Sequence, residues 1–265
     1  MTARLRELRA DPFARTLALI TLGALAIRVA YILIAKRDEP AMGDAIYYSS
    51  QAQTIADGEW FRHPVFPREA ADHPPLTALS LAPISLLVPE SLLAQRFFQA
   101  ALGALAVAAI GLLGRRLAGP TAGLVAAGIA AVYPNLWIND ALVMSETIST
   151  LCIAVMLLAV VAFADEPSYR TAAWAGLAGG IAVLARAELA LLLALAVTPI
   201  ALLVRNAPLR RRLGWIGVIG AISLTVLAPW TIYNATRFEN PVLISTNDGI
   251  TLAGANCASD YDTTA

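Results

Sequence analysis

The chain has 265 residues, of which 58% are hydrophobic and only 14% charged, with a mean hydropathy of +0.66. A soluble domain carries nearer to a quarter charged residues, so this composition excludes one and points to an integral membrane protein. Net charge is zero, but the basic residues are unevenly placed along the chain. Cys152 and Cys257 are too few for a disulfide framework and lack metal-type spacing.

Arg4, Arg6, Arg9 and Arg15 form a short basic lead-in, expected on the cytoplasmic side. The first span is predicted over Thr16–Ala35, about 30 Å of helix. It shows no small-residue cleavage site and is expected to stay as a span. Arg28 lies inside it. Left unpaired there it would cost roughly 3 kcal/mol, so it should face the bundle or snorkel.

Residues 36–75 are polar. A helical run from Asp44 to Asp57 places Ile46, Ala52 and Ile55 on one side and is predicted to lie along the interface. Gly58 ends it, and Tyr47, Tyr48, Trp60 and Phe61 suit the headgroup level. Leu76–Val88, interrupted by Pro83, reads as a helix dipping against the outer face. Further spans are predicted over Leu93–Leu113, Ala118–Val132, Val143–Phe163, Ala172–Leu184, Leu189–Val204 and Leu213–Tyr233. A short outer loop holds Asn135, Asn139 and Asp140, and residues 234–265 are placed outside.

The predicted fold is therefore an all-α polytopic membrane protein of about seven transmembrane helices, with a long outer first loop over 36–92. This layout divides the chain into a cytoplasmic N-terminus (1–15), a membrane domain (16–233) and an outer segment (234–265). It puts 11 arginines and 4 acids inside, against 7 basic residues and 15 acids outside, in the sense of the positive-inside rule.

Asp44, Asp72, His73, Asp140 and Glu146 then share the outer face. Asp44 can serve as a helix N-cap or as a general base toward an acceptor hydroxyl. His73, ahead of Pro74 and Pro75, can be a satisfied polar residue or, with Glu146 and Asp140, part of a divalent-metal set. Glu146 in the first turn of its helix can also simply complement the helix dipole. Arg28, Arg96 and Arg186 each offer a planar donor fork for a phosphate, or snorkel to the interface.

The run Gly43-Asp44-Ala45-Ile46-Tyr47-Tyr48, the later His73-Pro74-Pro75-Leu76, Arg96, Ser145-Glu146 and the stretch Gly176–Arg186 carry a family likeness. The chain resembles GT-C membrane glycosyltransferases, most closely the branch of dolichyl-phosphate-mannose-protein mannosyltransferases and aminoarabinose transferases. The resemblance implies inverting transfer of a sugar from a polyprenyl-phosphate donor to an acceptor hydroxyl of a protein, lipid or glycan outside the membrane. It implies Asp44 as the catalytic acid, Arg96, Arg186 and Tyr48 on the donor side, and His73 and Glu146 as metal ligands if a divalent metal is used. The partners expected are the lipid bilayer, the donor and the acceptor, with no nucleic acid. The location expected is the cell membrane of a bacterium, with the N-terminus cytoplasmic and the active site outside. No phosphate-cradling glycine loop for a nucleotide sugar is evident. Ala45 stands where the mannosyltransferases carry Glu, which weakens protein O-mannosylation specifically. Relatives run longer, so a truncated form is expected. The competing readings are a transporter or flippase of a lipid-linked substrate and an inactive membrane partner.

Overall fold

A computed structural model describes residues 11–247. Arg4, Arg6, Glu7, Arg9, Cys257 and most of the expected outer segment lie outside the described residues. Among the described residues the fold is helical, with no strand and a single isolated bridge between Arg62 and Glu69.

Helix α1 (Pro12–Tyr31) starts on Asp11, whose carboxylate accepts from the Phe13 amide at 3.0 Å, with Pro12 in the first turn. Proline suits that position because its missing N–H would have no helical partner there. The helix runs on into a π-helical turn, Ile32–Lys36. Helix α2 (Asp44–Ala56) and helix α3 (Leu76–Leu87) follow. Pro83 sits within α3 without ending it, so the expected interruption does not occur.

Helix α4 (Leu92–Val132) is not one rod. At Ala118 and Gly119 (φ 89°) the backbone leaves the helical region, and Pro120 starts a second arm. Gly119 supplies the positive φ that other residues resist. The arms fold against each other at Gly111, Gly114 and Gly123. A Cβ at Gly123 would stand 2.7 Å from the Arg115 amide nitrogen. Small residues allow such approach between membrane helices.

Helix α5 (Pro134–Leu142) occupies what the sequence suggested was a plain loop. Pro134 and the Tyr133 cap initiate it, and Trp137 and Leu136 pack it back on the bundle. Helices α6 (Ser145–Asp165), α7 (Tyr169–Ala185), α8 (Leu189–Leu203) and α9 (Leu209–Ala235) follow and complete the helices of the described residues. The main core lies between α6, α7, α8 and α9, around Met156, Phe163, Leu193 and Trp215. Gly176 brings α7 close enough to α9 for Ser223 to donate to its carbonyl at 2.8 Å.

Among the described residues, four helices are long and apolar enough to cross a membrane: Pro12–Lys36, Leu92–Val132, Ser145–Asp165 and Leu209–Ala235. Helices α7 and α8 have 17 and 15 residues, short of the roughly 20 that a span ordinarily needs. The outward faces carry exposed Leu19, Leu105, Leu191 and Leu224, as a bundle solvated by lipid would. Arg28 turns inward and is 1% exposed.

Candidate active site

The stretch ahead of α2 reaches the site through Gly43, whose backbone (φ 56°, ψ −134°) suits glycine alone. Gly43 is the cap residue, and Asp44 is the first residue of the helix. The structure thus does not use Asp44 as the N-cap. Among the described residues no hydrogen bond or ion pair engages its exposed carboxylate.

One turn later Tyr48 is buried, and its ring and that of Tyr47 each stand 4.9 Å from the His73 imidazole. Burial pushes the Tyr48 phenol up to about 12, with Ser145 opposing as a hydrogen-bond partner. Burial also holds His73 below the usual imidazole range, against the pull of Asp44 and Asp72. Both rings are therefore neutral at pH 7.

The opposite wall comes from α6. Val143 ends α5 in the left-handed region (φ 61°, ψ 50°), fully buried against Tyr48 and Leu81. A β-branched residue there costs on the order of 1–3 kcal/mol. The turn it makes launches Ser145 and Glu146 directly into the site. Arg186 closes α7 with extended backbone. Its guanidinium donates to Glu188 at 2.6 Å and to Glu146 at 3.2 Å.

Asp44, Tyr48, His73, Glu146 and Arg186 all line one cavity of about 170 Å³. Glu188, Ser245 and Asn247 also line it. The segment that brings Ser245 and Asn247 is fixed by Trp230 Nε1 on the Ile244 carbonyl (2.7 Å) and by the Thr246 amide on the Ala71 carbonyl (2.8 Å). Sequence reasoning missed these three. Glu188 stands two residues from Arg186 and was readable as its partner. Ser245 and Asn247 sit in a polar stretch with no pattern to mark them.

A second cavity of about 300 Å³ adjoins the first, lined by Trp60, Phe61, Leu79, Leu184, Trp230 and Tyr233, among others. Pro74 and Ala185 face the polar cavity, while their neighbours Pro75 and Leu184 face the apolar one.

Four sequence candidates, Arg28, Arg96, Asp140 and Asp72, do not line the cleft. Arg96 is buried, donating from Nε to the Ala141 carbonyl at 2.8 Å and from Nη2 to the Glu39 carbonyl at 2.9 Å, with a further bond to the Lys36 carbonyl. Its donor fork is thus occupied by backbone and placed away from the site. Asp140 is paired with Arg28. Asp72 is bound by Arg68 at 2.7 Å.

Among the described residues no group of three or more His, Cys, Asp or Glu side chains could hold a metal ion. His73 packs against two tyrosine rings that also touch each other, and Glu146 is engaged by Arg186. The residues present therefore do not fit the metal set that the resemblance implied.

The sequence profile described as dolichyl-phosphate-mannose-protein mannosyltransferase matches residues 72–233, more than half of the chain. The chain belongs to this family. Its members' profile spans His73, Glu146 and Arg186 of the cleft and starts after Asp44 and Tyr48. A comparison with curated proteins returned no match. Membership makes the chain a membrane glycosyltransferase of the GT-C kind.

Proposed function

We propose that the protein transfers a sugar from a polyprenyl-phosphate carrier to an acceptor hydroxyl at the outer face of a cell membrane. The observation that carries this reading is the pairing of the two cavities. A polar cleft with an unengaged carboxylate and an arginine shares a wall with an apolar cavity. Such a pair suits a ligand with a charged head and a hydrocarbon tail.

In this reading the phosphosugar occupies the polar cleft and the first isoprene units lie between Trp60, Leu79 and Trp230. Arg186 binds the phosphate, and Glu146 and Glu188 orient its guanidinium. Tyr48 and Asn247 contact the sugar. Asp44 takes the proton of the acceptor hydroxyl as that oxygen attacks the anomeric carbon from the face opposite the phosphate. The bond from the anomeric carbon to the phosphate oxygen breaks, the lipid phosphate leaves with the electron pair, and the configuration inverts. Arg186 stabilises the charge that builds on the leaving phosphate.

We place the cleft outside because arginines gather at the other end of the bundle. Arg115 and Arg116 lie at the α4 hairpin, paired with Asp11 and Asp165, and Arg205, Arg210, Arg211 and Arg212 lie around the α8–α9 turn. Counting the α4 hairpin as two spans and α7 and α8 as short ones gives seven, with 36–92 as the first outer loop and 16–233 as the membrane domain. The test is transfer in proteoliposomes from a short-chain polyprenyl-phosphate hexose or pentose, with Asp44→Asn as control. Transfer by the wild type and its loss in the variant supports the reading. Equal activity in both removes Asp44 as the base.

A further inference from the structure

Behind Glu146, on the side away from the cleft, lies a buried polar cluster drawn from three separate helices. Arg28 of α1 donates through Nε to Asp140 of α5 at 2.5 Å, and through Nη1 to the Ala24 carbonyl at 3.1 Å. Thr147 of α6 donates to the other Asp140 oxygen at 2.6 Å. All three are at most 3% exposed. Gly103 of α4 makes the room, since a Cβ there would collide with the Asp140 carboxylate and stand 2.8 Å from Arg28 Nε. A small void beside the cluster is lined by Arg28, Asp140, Thr147 and also by Glu146. Glu146 therefore has the cleft on one side and this cluster on the other.

A buried ion pair is weak support for stability, because an apolar replacement often does as well, and its best-attested use is to fix registry. Here the registry at stake is that of the first turn of α6. Thr147 follows Glu146 directly, so the bond from Thr147 to Asp140 fixes the rotation of that turn about the helix axis. Val143 in its left-handed turn leaves the turn no helical continuity with α5. We infer that Arg28, Asp140 and Thr147 are positioning residues, a lock that sets Glu146 and through it Arg186 in the transferase cleft. The inference rests on the proposed function for its kinetic consequence and on the geometry alone for its structural one.

Removing Asp140 or Arg28 would strand a buried charge and could prevent folding, so the test uses Thr147. Thr147→Val keeps the shape and deletes the bond, and Thr147→Ser keeps the bond. Transfer from a short-chain polyprenyl-phosphate sugar is measured with amide hydrogen exchange over 145–149 and the thermal midpoint. Thr147→Val is expected to lower kcat about tenfold, a loss in keeping with sub-ångström misplacement. The donor KM should change much less, exchange should quicken within 145–149, and Thr147→Ser should restore both. An unchanged kcat per folded molecule, an equal loss in both variants, or unchanged exchange would overturn the lock. If the wild type gives no transfer, the proposed donor chemistry falls, and the exchange comparison of the two variants alone decides the lock.

Discussion

Arg186 and Glu146 meet at 3.2 Å across the cleft, although 40 residues separate them in the chain. Both side chains are about 40% exposed, so the pair adds little to stability, typically about 0–1 kcal/mol for such pairs. Its value lies in aiming a guanidinium into the cavity. Arg186→Ala is expected to weaken binding of a short-chain polyprenyl phosphate by about tenfold or more, since charge-assisted bonds to phosphate are among the stronger polar contacts. The thermal midpoint should hardly move. Isothermal titration beside a melting curve separates the two effects, and a large drop in the midpoint with unchanged affinity would contradict the donor role.

Asp44→Asn is expected to lower transfer by about 10²–10⁴-fold, the range for a lost general base. Asp44 is exposed and makes no capping bond, so circular dichroism and melting should stay as in the wild type. A variant that unfolds would mean that the carboxylate serves the fold instead.

Gly43→Ala forces a Cβ onto a backbone at φ 56°, ψ −134°. Space is not the obstacle, because nothing lies within 4 Å of the added carbon. The strain is expected to cost about 1–3 kcal/mol or to be relieved by shifting the start of α2. Either way transfer should fall with Asp44 still present. Full activity at wild-type stability would show that the turn tolerates side chains.

Arg96→Lys is expected to destabilise the protein by about 2 kcal/mol, because an ammonium cannot reproduce the planar fork on the Ala141, Lys36 and Glu39 carbonyls. Polyprenyl-phosphate affinity of the folded fraction should be unchanged. Loss of affinity at constant stability would restore Arg96 to the donor site.

His73 is held below its ordinary value of 6.5 chiefly by burial. The unfolded chain then binds more protons than the folded one below about pH 6.5. The contribution of His73 is complete above that pH and declines as pH falls from there toward the folded value. His63 is shifted the same way by burial, so the comparison must isolate one ring. Melting curves from pH 5 to 8 should show a shallower acid-side loss for His73→Gln than for the wild type. Parallel curves would mean that His73 does not titrate in this window.

The membrane class, the helical run from Asp44, the polar first loop and the family likeness were legible in the sequence. Hydrophobic blocks of about 20 residues and the Gly43-Asp44 run after the first of them are local signals, and local chemistry reads them. The sequence also separated the two arms of α4, but it set the break between Leu113 and Ala118, whereas the backbone turns at Ala118 and Gly119, inside the expected third span. What it could not decide was which cations and acids face one another. Arg96 and Arg186 look alike as lone arginines at helix ends, yet one is clamped on three carbonyls and the other opens into the cavity. Asp140 looked like a companion of Glu146, yet it pairs with Arg28, 112 residues away. Those choices are made when helices distant in sequence pack, because burying a charge forces it onto whichever partner the packing brings within reach. Only the tertiary structure carries that information.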